Sequence, residues 1–171
     1  RAVSIIDQFS LPITGKKFLD FGCGDGHVVQ SAAAMDPIFA VGYDVVVPEN
    51  QIVAWNQPLN SLLLLTNDLQ SVVENGPYDS ILLFDVLDHV ADPIDVLKNA
   101  KSLCAPGGRI YVKCHPYCSR HGGHLYRTIN KAYVHLLPDA VLDILAPDRI
   151  PLAQKVLFPM KTYTEWILAS G

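Results

Sequence analysis

The sequence predicts one α/β domain, with a doubly wound, mostly parallel sheet that carries helices on both faces. Short apolar runs of strand length alternate with helical segments through residues 17–114. Some of these runs are continuously apolar, which is typical of parallel strands buried on both faces. Strands that alternate with helices imply right-handed crossover connections. Half of the 171 residues are apolar and 18% are charged, so a well-filled core is expected.

The predicted strands and helices follow one another in a regular order. Apolar side chains at helical spacing predict the end of a helix at 4–9 and a helix at 28–35, directly after a glycine-rich loop. Two short helices are predicted at 48–57 and 68–74, the first beginning at Pro48, a residue suited to a first helical turn. The predicted strands are 17–21, 39–44, 61–66, 79–84 and 109–114.

The longest predicted helix of this region spans residues 92–104. Asp92 suits the N-cap, Pro93 suits the first helical position, and Asp95 adds negative charge to the first turn. The pair Gly107-Gly108 is predicted to end the helix. The fifth strand then follows directly.

The pattern changes after residue 115. We interpret residues 1–171 as a single domain with a cofactor-binding core at 1–115 and a substrate-side region at 116–171. The second region begins with a loop rich in Cys, His and Gly. Helices at 125–136 and 139–145, a strand at 155–158 and a final helix opened by the capping-box pair Thr162 and Glu165 are predicted after it.

Charge and cysteine content narrow the class of protein. The formal net charge is −4, which gives no basic footprint for nucleic acid. No apolar run approaches the roughly 20 residues that span a bilayer, so no membrane partner is predicted. Four cysteines in a chain of this length do not form the dense pattern of a disulfide scaffold. A reducing compartment, the cytoplasm, is therefore the predicted location.

Three glycines alternate with other residues between the first strand and the following helix. Gly22, Gly24 and Gly26 allow positive φ angles and let a ligand approach the backbone closely. A strand, a tight loop and a helix N-terminus together form a cradle for a nucleotide. His27 stands where a dinucleotide fingerprint has its third glycine. This spacing weakens the interpretation as an NAD-dependent oxidoreductase, which stays open as an alternative.

The segment LDFGCGDG at 19–26 resembles the first motif of class I S-adenosylmethionine-dependent methyltransferases. Four further features follow in the family's order, so that the resemblance covers roughly residues 13–115: Asp44 after the second strand, NDL at 67–69, YDSILLFDVLDHV at 78–90 and LCAPGGRI at 103–110. The resemblance implies a Rossmann-like sheet of strand order 3-2-1-4-5-7-6, with an antiparallel seventh strand. The chain ends where that strand would begin, so we expect the last strands to be missing or rearranged.

The resemblance implies S-adenosyl-L-methionine as the cofactor. It matches Asp44 to the acid that holds the ribose hydroxyls and Asp20 to contact with the amino group. Each of these acids has a simpler alternative, because an acid after a strand can cap the next helix. Asp88 and His89 are interpreted as structural. The residues assigned to cofactor binding are Asp20, Gly22, Cys23, Gly24, Gly26, Asp44, Asp68, Leu69 and Asp85, and Asp85 could instead face the substrate.

The loop at 113–124 has three competing interpretations. His115 or His121 could act as a general base on the acceptor, with His115 favoured for its position at the strand end. A zinc site would use Cys114, Cys118, His121 and His124, but four ligands within eleven residues would need an unusually tight wrap. The third interpretation is a structural or substrate-lining loop. No metal is therefore predicted.

The leading functional prediction is a transferase that moves a methyl group from S-adenosyl-L-methionine to a small-molecule acceptor. The chain lacks the Asn/Asp-Pro-Pro-aromatic motif of amino-methyltransferases that act on nucleobases or glutamine. Together with the acidic charge balance, this favours a small molecule over nucleic acid. The first alternative is a methyltransferase-like module without catalysis that serves in protein interaction, and the second is the NAD-dependent oxidoreductase.

Overall fold

The computed structural model describes residues 2–56, 62–90, 92–114, 141 and 144. Helices and strands alternate through this part of the chain. The helices are α1 (Ala2–Phe9), α2 (His27–Ala33), α3 (Glu49–Trp55), α4 (Leu69–Asn75) and α5 (Pro93–Leu103). The strands are β1 (Lys17–Phe21), β2 (Phe39–Tyr43), β3 (Leu63–Thr66), β4 (Tyr78–Phe84) and β5 (Cys104–Lys113). All of the elements predicted before residue 115 are present; β1 has the predicted ends, and the other elements have shifted ends.

The chain divides into two compact units. The first comprises residues 1–84 and 98–112, and the second comprises 85–97 and 113–171. The glycine loop and the ends of the first three strands belong to the first unit. Of the elements predicted beyond residue 115, the helix at 139–145 has two described residues, Val141 and Ile144, which are both helical and exposed. The other predicted elements of this region lie outside the described residues.

The sheet has the strand order β3-β2-β1-β4-β5. The pairs β1–β2, β1–β4 and β2–β3 are parallel. The register places Asp20 of β1 beside Gly42 of β2 and Leu82 of β4. This order and direction confirm the predicted α/β class and the first five positions of the implied strand order. The prediction about the sixth and seventh strands falls outside the described part of the chain and stays a prediction.

The central strands are buried on both faces, as the continuous apolar runs predict. One face packs with α1 and α2 in a single cluster, whose members include Ile5, Ile6, Phe18, Val29, Ala32, Ala40, Leu65 and Leu82. Residues that alternate with these on the strands are fully buried as well, namely Leu19, Val41, Ile81 and Leu83. Each buried aliphatic side chain contributes about 1.5–3 kcal/mol, so this core fixes the strand ends firmly.

Helix α5 begins as predicted and ends earlier than predicted. The Asp92 carboxylate accepts hydrogen bonds from the backbone N–H groups of Ile94 and Asp95, at 2.9 and 3.0 Å. The helix ends at Leu103, and β5 runs from Cys104, so the prediction that Gly107-Gly108 ends the helix is wrong. Proline disfavours helical geometry in the residue before it and lacks an N–H, and Pro106 therefore stops the helix first.

Asn56 ties the end of α3 to the edge strand β3. Its side-chain amide donates to the carbonyl of Leu65 at 2.8 Å, and its side-chain oxygen accepts from the Leu65 N–H at 2.7 Å. An edge strand leaves such backbone groups without a neighbouring strand. The pair of bonds satisfies both groups of Leu65 and fixes where α3 lies against the sheet. Over the described residues, no helix combines the length and the apolar character needed to cross a membrane.

Candidate cofactor site

The glycine loop adopts the backbone conformation that its sequence predicts. Gly22, Gly24 and Gly26 have φ angles of 84°, 55° and 72°, a region that side chains make costly. Gly26 is the N-cap of α2, which starts at His27 rather than at residue 28. The prediction of a tight left-handed loop between β1 and a helix is therefore confirmed.

The loop is fastened to the end of β2. The N–H groups of Gly22 and Cys23 both donate to the carbonyl of Tyr43, at 2.7 and 2.9 Å. The N–H of Gly24 donates to Oδ2 of Asp44 at 2.9 Å. The carbonyl of Tyr43 and the carboxylate of Asp44 thus hold three consecutive loop residues. These bonds fix the position of the loop relative to Asp44.

Asp44 is a loop anchor and not a helix cap. Its Oδ1 atom accepts from the Val46 N–H at 3.1 Å, while the N-cap of the next helix is Pro48. The capping alternative is therefore wrong for Asp44. A carboxylate offers about four acceptor positions, and the bonds from Gly24 and Val46 use two of them. The half-buried carboxylate keeps capacity for two further donors, such as a vicinal diol.

Asp20 is the most deeply buried acid of the site. It is 3% exposed, and none of the described residues donates a hydrogen bond to its carboxylate. Burial raises its pKa to about 7, and the negative charges of Asp44 and Asp25 add to the rise. A carboxyl group in this state gains from any cation placed beside it, because the cation restores the charged form.

Cys23 and Gly42 show how closely the loop packs on the sheet. The Cys23 thiol is buried, and burial together with the charges of Asp20 and Asp44 raises its pKa, so it is a neutral packing group. A Cβ on Gly42 would lie 2.6 Å from Cγ1 of Val29 and 3.2 Å from the Cys23 sulfur. Gly42 therefore allows the close approach of loop, helix and sheet.

The outer side of the loop is open. A Cβ on Gly24 would meet no described heavy atom within 4 Å. The loop is thus packed on its sheet side, at Cys23, and accessible on the side where Gly24 lies. Such a surface leaves room for a ligand to contact the backbone, which is the property expected of a cofactor loop.

Asp68 caps helix α4. Its carboxylate accepts from the N–H groups of Gln70 and Ser71 at 3.0 Å and from the Ser71 hydroxyl at 2.7 Å. The Ser71 hydroxyl and these N–H groups lower the pKa of Asp68. The capping alternative is confirmed here, and the adenine role of Asp68 and Leu69 stays a prediction. Leu69, the first residue of α4, is 37% exposed.

Gln51 belongs to this site although no sequence pattern indicated it. Its side-chain amide donates to the carbonyl of Asp25, in the glycine loop, at 2.6 Å. The Asp25 carboxylate also lies 3.3 Å from Nε2 of His27, and both of these side chains are largely exposed. No sequence motif predicts such a bond for a glutamine in a short helix, because the bond depends on where α3 lies relative to the glycine loop.

Asp85 belongs to the second unit. Its φ angle is 57°, and its N–H donates to the Lys113 carbonyl at 2.7 Å. In the same unit Asp88 is 3% exposed and lies 3.7 Å from Nε2 of His89. Burial and the charges of Asp88 and Asp85 raise the pKa of the Cys114 thiol. The cofactor or substrate role of Asp85 stays a prediction.

The other predicted residues of the Cys/His loop, His115, Cys118, His121 and His124, lie outside the described residues. The base and zinc interpretations therefore stay predictions. Across residues 2–56, 62–90 and 92–114, no group of three or more His, Cys, Asp or Glu side chains could hold a metal ion.

Comparison with known proteins identifies the family. A family model described as "Methyltransferase domain" matches residues 1–142. The chain belongs to this methyltransferase family, and the resemblance drawn from its motifs is confirmed.

Two curated relatives and one solved structure illustrate the likeness. A ubiquinone biosynthesis O-methyltransferase of Vibrio parahaemolyticus is 34% identical over 103 residues, which cover 57% of this chain and 43% of the relative. A protein of the same description from Coxiella burnetii is 28% identical over 143 residues, covering 78% and 57%. The chain thus spans about half the length of the curated relatives it matches.

An S-adenosylmethionine-dependent methyltransferase structure from Mesorhizobium loti superposes with a TM-score of 0.54 at 20% identity, covering 70% of this chain and 56% of that one. A likeness at this level of identity shows a shared fold.

Proposed function

We propose that this chain binds S-adenosyl-L-methionine and takes part in transferring its methyl group to a small-molecule acceptor. Membership of the methyltransferase family supports the reaction type. The observation that carries the proposal is the buried carboxylate of Asp20, 3% exposed and without a hydrogen bond from the described residues. A cation placed beside this carboxyl group would favour its charged form.

The charge around the loop favours this cofactor over a dinucleotide. S-adenosylmethionine carries two cationic groups, an ammonium and a sulfonium, and one carboxylate, so that its net charge is positive. A dinucleotide would bring an anionic pyrophosphate to a loop flanked by the carboxylates of Asp20, Asp25 and Asp44, where like charges repel. The acids at the loop therefore support the methyltransferase proposal over the NAD-dependent oxidoreductase.

The residues of the first unit divide among the parts of the cofactor. We assign Asp20 to the ammonium group and Asp44 to the ribose hydroxyls, since the Asp44 carboxylate has acceptor positions left after its bonds to Gly24 and Val46. Asp68 and Leu69 are assigned to the adenine. The remaining assignments in this unit are the loop residues Gly22, Cys23, Gly24 and Gly26. Asp85, which belongs to the second unit, stays a separate prediction for the methionine end of the cofactor or for the substrate.

When bound, the cofactor supplies an electrophilic methyl group on a positively charged sulfur. The chain then contributes mainly orientation and proximity. A base is needed only where the acceptor must lose a proton, and His115 and His121 are the proposed candidates.

The acceptor is proposed to be a small molecule with a nucleophilic oxygen or nitrogen. Both curated relatives carry names of O-methyltransferases of ubiquinone biosynthesis, which supports a hydroxyl group. The net charge of −4 supports a small molecule rather than nucleic acid. The three described cysteines are free thiols, which supports the cytoplasm as the location.

Calorimetric titration of the purified chain with S-adenosylhomocysteine, with NAD in a parallel titration, tests the cofactor. The product is a suitable probe because it keeps the ammonium, ribose and adenine groups. We expect a micromolar dissociation constant for S-adenosylhomocysteine and no heat from NAD. Binding of NAD alone would favour the oxidoreductase, and binding of neither would favour the interaction module.

A matched pair of variants connects the binding to the buried acid. Asp20→Asn keeps the size of the side chain and removes the charge, and we expect it to weaken S-adenosylhomocysteine binding at least tenfold, since a buried charged bond is worth about 1.5–3 kcal/mol. Asp7→Asn makes the same change on the exposed face of α1 and should leave binding unchanged. Equal affinity of both variants would contradict the assigned role of Asp20.

A further inference from the structure

We infer that Gln51 is a positioning residue for the cofactor, which holds the glycine loop in its binding conformation through the carbonyl of Asp25. This inference rests on the proposed function, because it concerns the same loop. The contact that carries it is the 2.6 Å hydrogen bond from the Gln51 amide to the Asp25 carbonyl.

The bond fixes one peptide group of the loop from both sides. The carbonyl of Asp25 accepts from Gln51, and the N–H of the same peptide, on Gly26, donates to the Cys23 carbonyl at 2.9 Å. The preceding part of the loop is held by the bond from the Gly24 N–H to the Asp44 carboxylate. Gln51 therefore fastens the half of the loop that Asp44 does not reach.

Helix α3 is itself held in place at both ends, so that the backbone of Gln51 has a fixed position relative to the loop. After β2, the buried side chain of Val47 fixes the approach to the helix, at 3% exposure. At the other end Asn56 makes two hydrogen bonds to Leu65 of β3. Because the helix is anchored at both ends, forming the bond orders the Gln51 side chain but does not have to order the backbone that carries it.

The loop needs a hydrogen bond of this kind because its glycines allow many backbone conformations. Gly24 and Gly26 have positive φ angles, and glycine loses more conformational freedom on ordering than any other residue. A loop that is ordered before the cofactor arrives does not have to be ordered by it. Loss of the Gln51 bond is therefore expected to lower cofactor affinity without unfolding the sheet.

The test compares three variants by titration with S-adenosylhomocysteine and by denaturant unfolding of the ligand-free chain. Gln51→Met keeps the length of the side chain and a comparable helix propensity but has no donor, and we expect about fivefold weaker binding, the scale of one neutral hydrogen bond. Gln51→Lys restores a donor. It is expected to recover most of the affinity at about 0.5 M salt, where its added charge is screened.

The third variant, Asn50→Met, places the same side chain at an exposed position of α3 and should bind like the original chain. The inference is overturned if Gln51→Met binds as well as the original chain, if Asn50→Met loses as much affinity, or if Gln51→Lys is no better than Gln51→Met. The inference is also overturned if the unfolding free energy of Gln51→Met falls so far that unfolding alone explains its weaker binding of S-adenosylhomocysteine. Failure of the original chain to bind S-adenosylhomocysteine would instead contradict the proposed function.

Discussion

The carboxylate of Asp44 holds the backbone of Gly24 by a hydrogen bond of 2.9 Å between Oδ2 and the Gly24 N–H. Asp44 directly follows β2, and Gly24, twenty positions earlier in the chain, lies in the middle of the loop after β1. The acid assigned to the ribose is thus also the acid that orders the glycine loop. Under the proposed assignment, a change at Asp44 is therefore expected to affect both the order of the loop and the binding of the ribose.

Asp44→Ala is expected to weaken binding of S-adenosylhomocysteine by about 1–3 kcal/mol, since it removes hydrogen bonds to a charged acceptor. Titration calorimetry measures the loss. Asp44→Asn keeps an oxygen for the Gly24 or Val46 N–H and lacks the charge, so its loss should be smaller. Asp7→Ala, on the exposed face of α1, serves as the control. An unchanged dissociation constant for Asp44→Ala would remove the ribose assignment.

Asp20 makes the stability of the ligand-free chain depend on pH. Its pKa is about 7 in the folded chain, compared with the ordinary value of 3.8 that we take for the unfolded chain. Between these values the folded chain holds a proton that the unfolded chain has released, so the contribution to stability is full below about pH 4 and is lost as the pH rises through 7. The difference between the two limits is on the order of 4 kcal/mol for a group this buried.

Denaturant unfolding at a series of pH values measures this contribution. Asp20→Asn cannot titrate, so the difference in unfolding free energy between the original chain and this variant should change steeply between pH 4 and 7 and stay constant below that window. Binding of S-adenosylhomocysteine, whose ammonium group favours the charged carboxylate, should tighten as the pH rises through about 7. A difference that does not vary with pH would contradict the raised pKa of Asp20.

The strands and the central geometry of the loop could be predicted because they follow from local patterns, whereas the strand order was implied by the resemblance to the methyltransferase family. Continuous apolar runs predict strands buried on both faces, and alternating glycines predict positive φ angles at Gly22, Gly24 and Gly26. Both features are set by residues close in the chain. Asp20, the last residue but one of β1, and Asp44, directly after β2, were matched to the cofactor through the resemblance, and their roles stay predictions.

The contacts that could not be predicted join residues far apart in the chain or depend on competing local signals. The bond from Gln51 to Asp25 spans 26 positions and depends on where α3 packs. Asp68 could serve either the helix or a ligand by its sequence, and its carboxylate binds the first turn of α4. At the end of α5, two stop signals compete, and Pro106 acts before the glycine pair.

Gly42→Ala and Gly24→Ala should destabilise the chain for different reasons. An added Cβ at Gly42 would lie 2.6 Å from Val29 Cγ1 and 3.1 Å from Leu65 Cδ1, and overpacking of a core costs about 1–3 kcal/mol. At Gly24 the space is open and only the φ angle of 55° is unfavourable, which costs about 1–2 kcal/mol. Denaturant unfolding should therefore rank Gly42→Ala as equally or more destabilising, and the reverse order would contradict this packing.

For the same loss of unfolding free energy, Gly24→Ala should weaken ligand binding more than Gly42→Ala does. The substitution at Gly24 alters the open side of the loop, whereas Gly42 lies beneath it. Titration with S-adenosylhomocysteine under conditions where both variants are fully folded separates the two effects. Equal affinities for both variants and the original chain would show that the loop conformation at Gly24 is not part of the binding surface.

Ser80 carries a hydroxyl group whose removal should stabilise the chain. The residue is fully buried in β4, and its oxygen has no hydrogen-bond partner among the described residues, so folding removes the hydration of the hydroxyl group without replacing it there. We expect Ser80→Ala to raise the unfolding free energy by about 1 kcal/mol. Thr66→Val is the matched contrast, because the Thr66 hydroxyl accepts from the Asp68 N–H at 3.0 Å, and it should lower the unfolding free energy by a similar amount. If denaturant unfolding instead shows that Ser80→Ala destabilises the chain as Thr66→Val does, the Ser80 hydroxyl has a partner in solution and this account of the core is wrong.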